Sequence, residues 1–127
     1  MRWEPAGGSI GTMSDNATPT KPPVLVLCRD LLFASKITAT AQARNVPFKV
    51  VRDPANLACQ PGRKLIVDLN QDGAIDAAAA WKQETLGETV GFVAHVDAAT
   101  IAKAKDAGID AVMARSEFSA RIDEIVG

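Results

Sequence analysis

Nine consecutive residues, Asp68-Leu69-Asn70-Gln71-Asp72-Gly73-Ala74-Ile75-Asp76, offer side-chain oxygens at alternate positions and then a glycine. A calcium loop begins this way, with oxygen ligands at positions one, three and five, a glycine at six and a bidentate glutamate at twelve. Here the twelfth position is Ala79, which has no oxygen to offer. The preceding Lys64-Leu65-Ile66-Val67 is strand-like, where a calcium hand needs an entering helix. The stretch therefore reads as a strand-to-helix turn built from turn-forming residues, with Asp68 standing at the strand end.

Other reactive side chains are few. His95 is the only histidine. As a base it would need a nucleophile and an orienting group within reach, and Ser116 is the only serine expected nearby. A small hydrolase-like enzyme using His95 and Asp68 is thus one alternative, beside a purely structural histidine. Ser116-Glu117 reads more simply as the N-cap of a last helix. Cys28 ends an apolar run and reads as a packing residue; only the adjacent Arg29 would favour a thiolate. Cys59 falls in a loop with no visible partner. Two cysteines and one histidine cannot build a Cys/His zinc site by themselves. No glycine occurs in Leu27-Cys28-Arg29-Asp30-Leu31-Leu32-Phe33, which counts against a phosphate-cradling loop for nucleotides or flavin. Trp81 and Phe118 sit in amphipathic segments and read as core.

These groups need a scaffold. The chain has 127 residues, 47% of them apolar, enough for one domain with a real core. A formal charge of −1 with no basic block argues against a nucleic-acid binder. No apolar run reaches membrane-spanning length and the N-terminus lacks a signal-peptide pattern, so a cytoplasmic protein is expected. Residues 1–23, rich in Gly, Pro, Ser, Thr and Asn, read as a flexible N-terminal tail, leaving 24–127 as the domain.

From Val24 onward, apolar strands and helical segments alternate. Strands are expected over 24–29, 48–52, 64–69, 89–96 and 111–116. Helices are expected over 30–45 with Asp30 as N-cap, 74–87 with Gly87 as its stop, 97–108 with Asp97 as N-cap, and 117–126. The stretch 53–62 holds at most one short helical turn. Nearly continuous apolar strands joined by helical crossovers imply a parallel sheet covered on both faces. The expected class is a three-layer, flavodoxin-like α/β fold with strand order 2-1-3-4-5, whose site lies outside the C-terminal strand ends.

With Asp68 at the end of the third strand, "VDLN" followed by a turn containing "DG" resembles the phospho-acceptor segment of response-regulator receiver domains (CheY-like). "AKAKDAGIDAVMARSEFSARI" resembles the fourth helix, fifth strand and fifth helix of that family, and "VLVLCRDLLFASKI" lies where its first strand and helix lie. The resemblance covers residues 24–126. It implies that Asp68 is the phospho-acceptor position and that Cys28, Arg29, Asp30, Asn70, Ala94 or His95, and Arg115 are the surrounding receiver-site positions. A receiver carries an acidic pair where Cys28 and Arg29 stand, a hydroxyl where Ala94 stands, and a lysine where Arg115 stands. The resemblance is therefore to a degenerate member, a pseudo-receiver with no catalytic residues and no cofactor, in which Arg29 pairs with Asp68 in the metal's place. Such a module signals by binding a protein partner; the face formed by residues 97–126 is implied for a partner or for a homodimer. The alternative is a phosphorylatable receiver, with Asp68 as acceptor, Arg115 replacing the lysine, and Asp30, Asp68 and Asn70 holding Mg2+.

Overall fold

The computed structural model describes residues 22–57, 60–94 and 97–126. Most of the expected tail lies outside the described residues. Pro23 already belongs to the domain, because its carbonyl accepts a hydrogen bond from the Arg63 amide at 3.1 Å.

Five strands form one parallel sheet: β1 (Val24–Leu27), β2 (Phe48–Val51), β3 (Lys64–Asp68), β4 (Glu88–Val93) and β5 (Ala111–Ala114), in the order β2-β1-β3-β4-β5. The helices are α1 (Leu31–Ala43), α2 (Ala74–Thr85), α3 (Ala98–Asp106), α4 (Arg115–Ala120) and α5 (Ile122–Val126). No described helix is long and apolar enough to cross a membrane. The three-layer, flavodoxin-like expectation holds in class and in strand order.

The apolar runs follow from burial on both faces. Along β1, Val24, Val26 and Cys28 enter one core with Phe33 and Ile37 of α1, Phe118 of α4 and Ile125 of α5. Leu25 and Leu27 enter the other with Leu57, Ala78, Trp81 and Ile109. Phe33, Phe92 and Phe118 meet as three tilted rings with centroids 4.9, 5.7 and 5.1 Å apart. Such tilted pairs add about 0.5–1.5 kcal/mol each beyond their buried area. This cluster lies directly under the C-terminal edge where the candidate site forms.

Between β2 and β3 the described residues of the crossover hold a single 3-10 turn, Pro54–Asn56, capped by Asp53 through the Ala55 amide. Trp81 helps fill the core on that side: it is 1% exposed and its Nε1 donates to the Gln60 carbonyl at 2.9 Å. The core reading of Trp81 and Phe118 therefore holds.

Several boundaries differ from the sequence expectation. The strands are shorter at their C-terminal ends, because register ends at Leu27 opposite Val51 and Val67, and at Val93 opposite Ala114. The single last helix is two pieces that meet at Arg121, whose amide is shared between the Glu117 and Phe118 carbonyls. The break lets Ile122, Ile125 and Val126 reach the core, and Lys64 and Arg63 donate to the Ile125 and Val126 carbonyls. Ser116 is not an N-cap: α4 starts at Arg115, and the capping position is Ala114, with no side-chain hydrogen bond. Asp30 and Asp97 do cap their helices, accepting from backbone amides two and three residues on for Asp30 and two on for Asp97.

Candidate functional site

Parallel strands in this order bring the ends of β1, β3, β4 and β5 to one edge. Asp68 is the last residue of β3 and is half-buried. The Asn70 amide donates to its carboxylate at 3.0 Å, closing a turn on itself. Burial is the main influence on this acid and pushes its pKa above the ordinary carboxylate value; the Asn70 hydrogen bond and the Arg115 charge pull the other way.

Asp30, just past β1, has both oxygens occupied. Oδ1 accepts from the Leu32 and Phe33 amides at 3.0 and 3.2 Å, and Oδ2 accepts from Arg115 Nη2 at 2.6 Å. The bond from Arg115, helped by the backbone amides, holds the Asp30 carboxyl below its usual range. Arg115 is itself held from beneath, its guanidinium carbon 4.0 Å from the centroid of the Phe33 ring. A guanidinium over an aromatic face gains cation–π attraction, so the aromatic cluster aims this arginine at Asp30.

This corrects the expected pairing of Arg29 with Asp68. Arg29 is exposed and forms no ion pair among the described residues; the cation whose charge reaches Asp68 is Arg115. The reason is where the strand ends. β1 ends at Leu27; Cys28 still packs into the core and is fully buried, whereas Arg29 lies beyond the end of the sheet, where neither core covers it, and is exposed. Burial also pushes the Cys28 thiol up to about 11, and its Sγ donates to the Asp30 carbonyl at 3.5 Å, so it stays a packing thiol at neutral pH.

Asn70 ties the edge together: its Oδ1 accepts from the Ala94 amide at 2.6 Å. Ala94, just past β4, brings no hydroxyl. His95 and Cys59 lie outside the described residues. Arg29, Asp30, Asp68, Asn70, Gln71 and Asp72 line a shallow cleft of about 430 Å3. Gln71 and the Arg115–Phe33 stack were not foreseen. The stack joins residues 82 positions apart, and nothing local in the sequence marks a glutamine as buried.

In the phosphorylatable alternative, Asp30, Asp68 and Asn70 would hold magnesium, and the side-chain oxygens of Asp30 and Asn70 already accept hydrogen bonds from the protein. Magnesium takes near-octahedral oxygen coordination, keeps several waters and binds through one or two carboxylates. Each Asp30 oxygen accepts at least one hydrogen bond, Asn70 Oδ1 accepts from the Ala94 amide, and no three Asp, Glu, His or Cys side chains converge among the described residues.

No family model matches the chain, and no curated protein matches its sequence. Solved structures do match. The signal receiver domain of a protein assigned as the response regulator NarL from Mycobacterium tuberculosis is 19% identical, with TM-score 0.69, covering 85% of this chain and 94% of that one. A CheY-like response regulator receiver domain protein from Methanospirillum hungatei JF-1 is 8% identical, with TM-score 0.67, covering 83% and 96%. The BeF3-activated DrrB receiver domain is 12% identical, with TM-score 0.69, covering 84% and 98%. At such identities the likeness speaks for architecture, and the chain has the CheY-like receiver-domain fold.

Proposed function

We propose that this chain is a receiver-fold signalling module that acts by binding a partner protein, without a magnesium-dependent phosphorylation cycle. The observation that carries this reading is the double engagement of Asp30, by the α1 amides on one oxygen and by Arg115 on the other. Phosphoryl transfer depends on positioning and on neutralising charge. Here the cation beside the acceptor position is an internal arginine, and the acid nearest to it is already spent. Ala94 offers no hydroxyl to follow a phosphoryl oxygen. The output then passes through a surface, and the face built from residues 97–126 is the one the receiver likeness favours.

A second reading keeps Asp68 as a phospho-acceptor. It is favoured by one observation: the only hydrogen bond that the described residues give Asp68 comes from Asn70, so part of its carboxylate is uncommitted.

Intact mass after incubation with Mg2+ and acetyl phosphate, beside an Asp68→Asn control, separates the two. An unchanged mass on folded protein is the expected result. One added phosphoryl group, absent from the control, would overturn the proposal.

A further inference from the structure

Asp72 is the one aspartate or asparagine in the chain that is followed by glycine. That pair has chemistry of its own. The backbone nitrogen of the second residue can attack the side-chain carboxyl carbon of the first and close a five-membered succinimide ring. A side chain on the second residue hinders the approach, and glycine has none. A folded chain normally blocks the reaction by engaging the carboxylate, by engaging the amide, or by holding the peptide so that it cannot turn.

None of these blocks operates at Asp72. The residue is exposed, and among the described residues its carboxylate makes no hydrogen bond and no ion pair. Asp30 and Asp68, by contrast, accept backbone amides. The Gly73 amide donates to no described residue, and the turn is closed by one backbone bond, from the Ala74 amide to the Gln71 carbonyl at 3.1 Å. Gly73 is exposed, with φ 79° and ψ −3°. Beyond its chain neighbours, the nearest atom to where a Cβ would stand is Pro54 Cβ at 3.9 Å. The Asp72–Gly73 peptide therefore has room to rotate its nitrogen toward the carboxyl carbon.

We propose that Asp72 is a self-modification site, converting to isoaspartate through a succinimide formed with Gly73. In the first step a bond forms from Asp72 Cγ to the Gly73 nitrogen, the Cγ–OH bond breaks, and the amide proton leaves with that hydroxyl as water. In the second step water adds at the Asp72 main-chain carbonyl carbon and its bond to the nitrogen breaks. The chain then runs through Cβ and Cγ, and the former main-chain carbonyl becomes a free carboxylate. Water is the only co-reactant, and the net composition is unchanged. The added methylene lengthens the main chain between Gln71 and Ala74 and breaks the bond that closes the turn. Gln71 is tied to Arg52 and Asn70 to Ala94, so the displacement reaches the edge that carries Asp68. This inference goes beyond the proposed function and holds whether or not Asp68 accepts a phosphoryl group.

The folded full chain is held in mildly acidic buffer beside the capped peptide Asp68-Leu69-Asn70-Gln71-Asp72-Gly73-Ala74-Ile75-Asp76. Trypsin releases Leu65–Lys82, which carries Asp68, Asp72 and Asp76 together. The expected result is a transient loss of water from the intact mass. A second chromatographic form of Leu65–Lys82 with unchanged mass then accumulates, and electron-transfer fragmentation places its isoaspartate at position 72. Asp72→Glu, at an exposed position, abolishes both species because the larger ring closes far more slowly. Asp72→Asn accelerates conversion and raises the mass, as ammonia leaves and water enters. In 15N–1H spectra the converted protein shows shifted Asn70, Gln71, Ala74 and Ala94 amides. Conversion of Asp68 or Asp76 at the same rate as Asp72, conversion seen only in unfolding urea, a folded chain more than about tenfold slower than the peptide, or unmoved amides after conversion would overturn the inference.

Discussion

Gly91 in β4 supports the turn that carries Asp68, and replacing it by alanine tests how that turn is held. A Cβ at Gly91 would stand 2.6 Å from Leu69 Cδ1, 2.7 Å from Cγ and 2.8 Å from Cδ2. Carbon atoms in contact settle at about 3.5–4.0 Å, so Leu69 must move by about 1 Å. Leu69 is 3% exposed and its amide donates to the Phe92 carbonyl at 3.0 Å, so it has little room to give. Overpacking of this kind costs about 1–3 kcal/mol. For a domain of this size that is a fall in Tm of about 5–15 °C. Because Leu69 sits between Asp68 and Asn70, the displacement also reaches the Asn70–Ala94 hydrogen bond. Thermal and urea melts measure the first effect, and the amide shifts of Asn70 and Ala94 measure the second. Leu69→Ala removes the clashing atoms. On its own it costs about 2–5 kcal/mol; in its background Gly91→Ala should cost less than about 0.5 kcal/mol, a coupling characteristic of touching residues. Strict additivity of the two substitutions, or a Gly91→Ala protein melting with the wild type, would refute this account of the edge.

Two further outcomes follow from the acids. Burial raises the Asp68 pKa, so the unfolded chain gives up that proton first, and ionisation weakens the fold as pH rises from about 4 through the folded value. Asp68→Asn should therefore be more stable than wild type at neutral pH, with the advantage fading below about pH 4; urea melts between those limits check the sign. Arg115 is the main cause of the low Asp30 pKa, so Arg115→Gln should move the Asp30 titration up toward its ordinary value of about 3.9 while the α1 amides hold part of the shift. Carboxyl 13C titration reads this, and an unmoved curve would mean that the helix cap alone depresses Asp30.

What the sequence by itself determined is what local chemistry decides. Unbroken apolar runs over Val24–Leu27 and Leu65–Val67 required strands covered on both faces, and their alternation with helical segments led to the parallel sheet and its order. Asp30 and Asp97 were legible as caps because a cap is made with amides two or three residues away. Asp68 was legible at the site edge because the third strand had to end there.

Only the tertiary structure decided which charges meet at that edge. β1 stops at Leu27, two residues before the expected end, so Arg29 stands beyond the sheet and is exposed while Cys28 is buried, and no local feature distinguished that outcome from pairing with Asp68. The cation at the edge is instead Arg115, 85 residues from Asp30, aimed by the Phe33 ring beneath it. The Asn70–Ala94 and Gln71–Arg52 bonds likewise join residues 24 and 19 positions apart. Each depends on strands from distant parts of the chain ending side by side. Long side chains choose among partners by reach and burial, and those distances exist only once the sheet has formed.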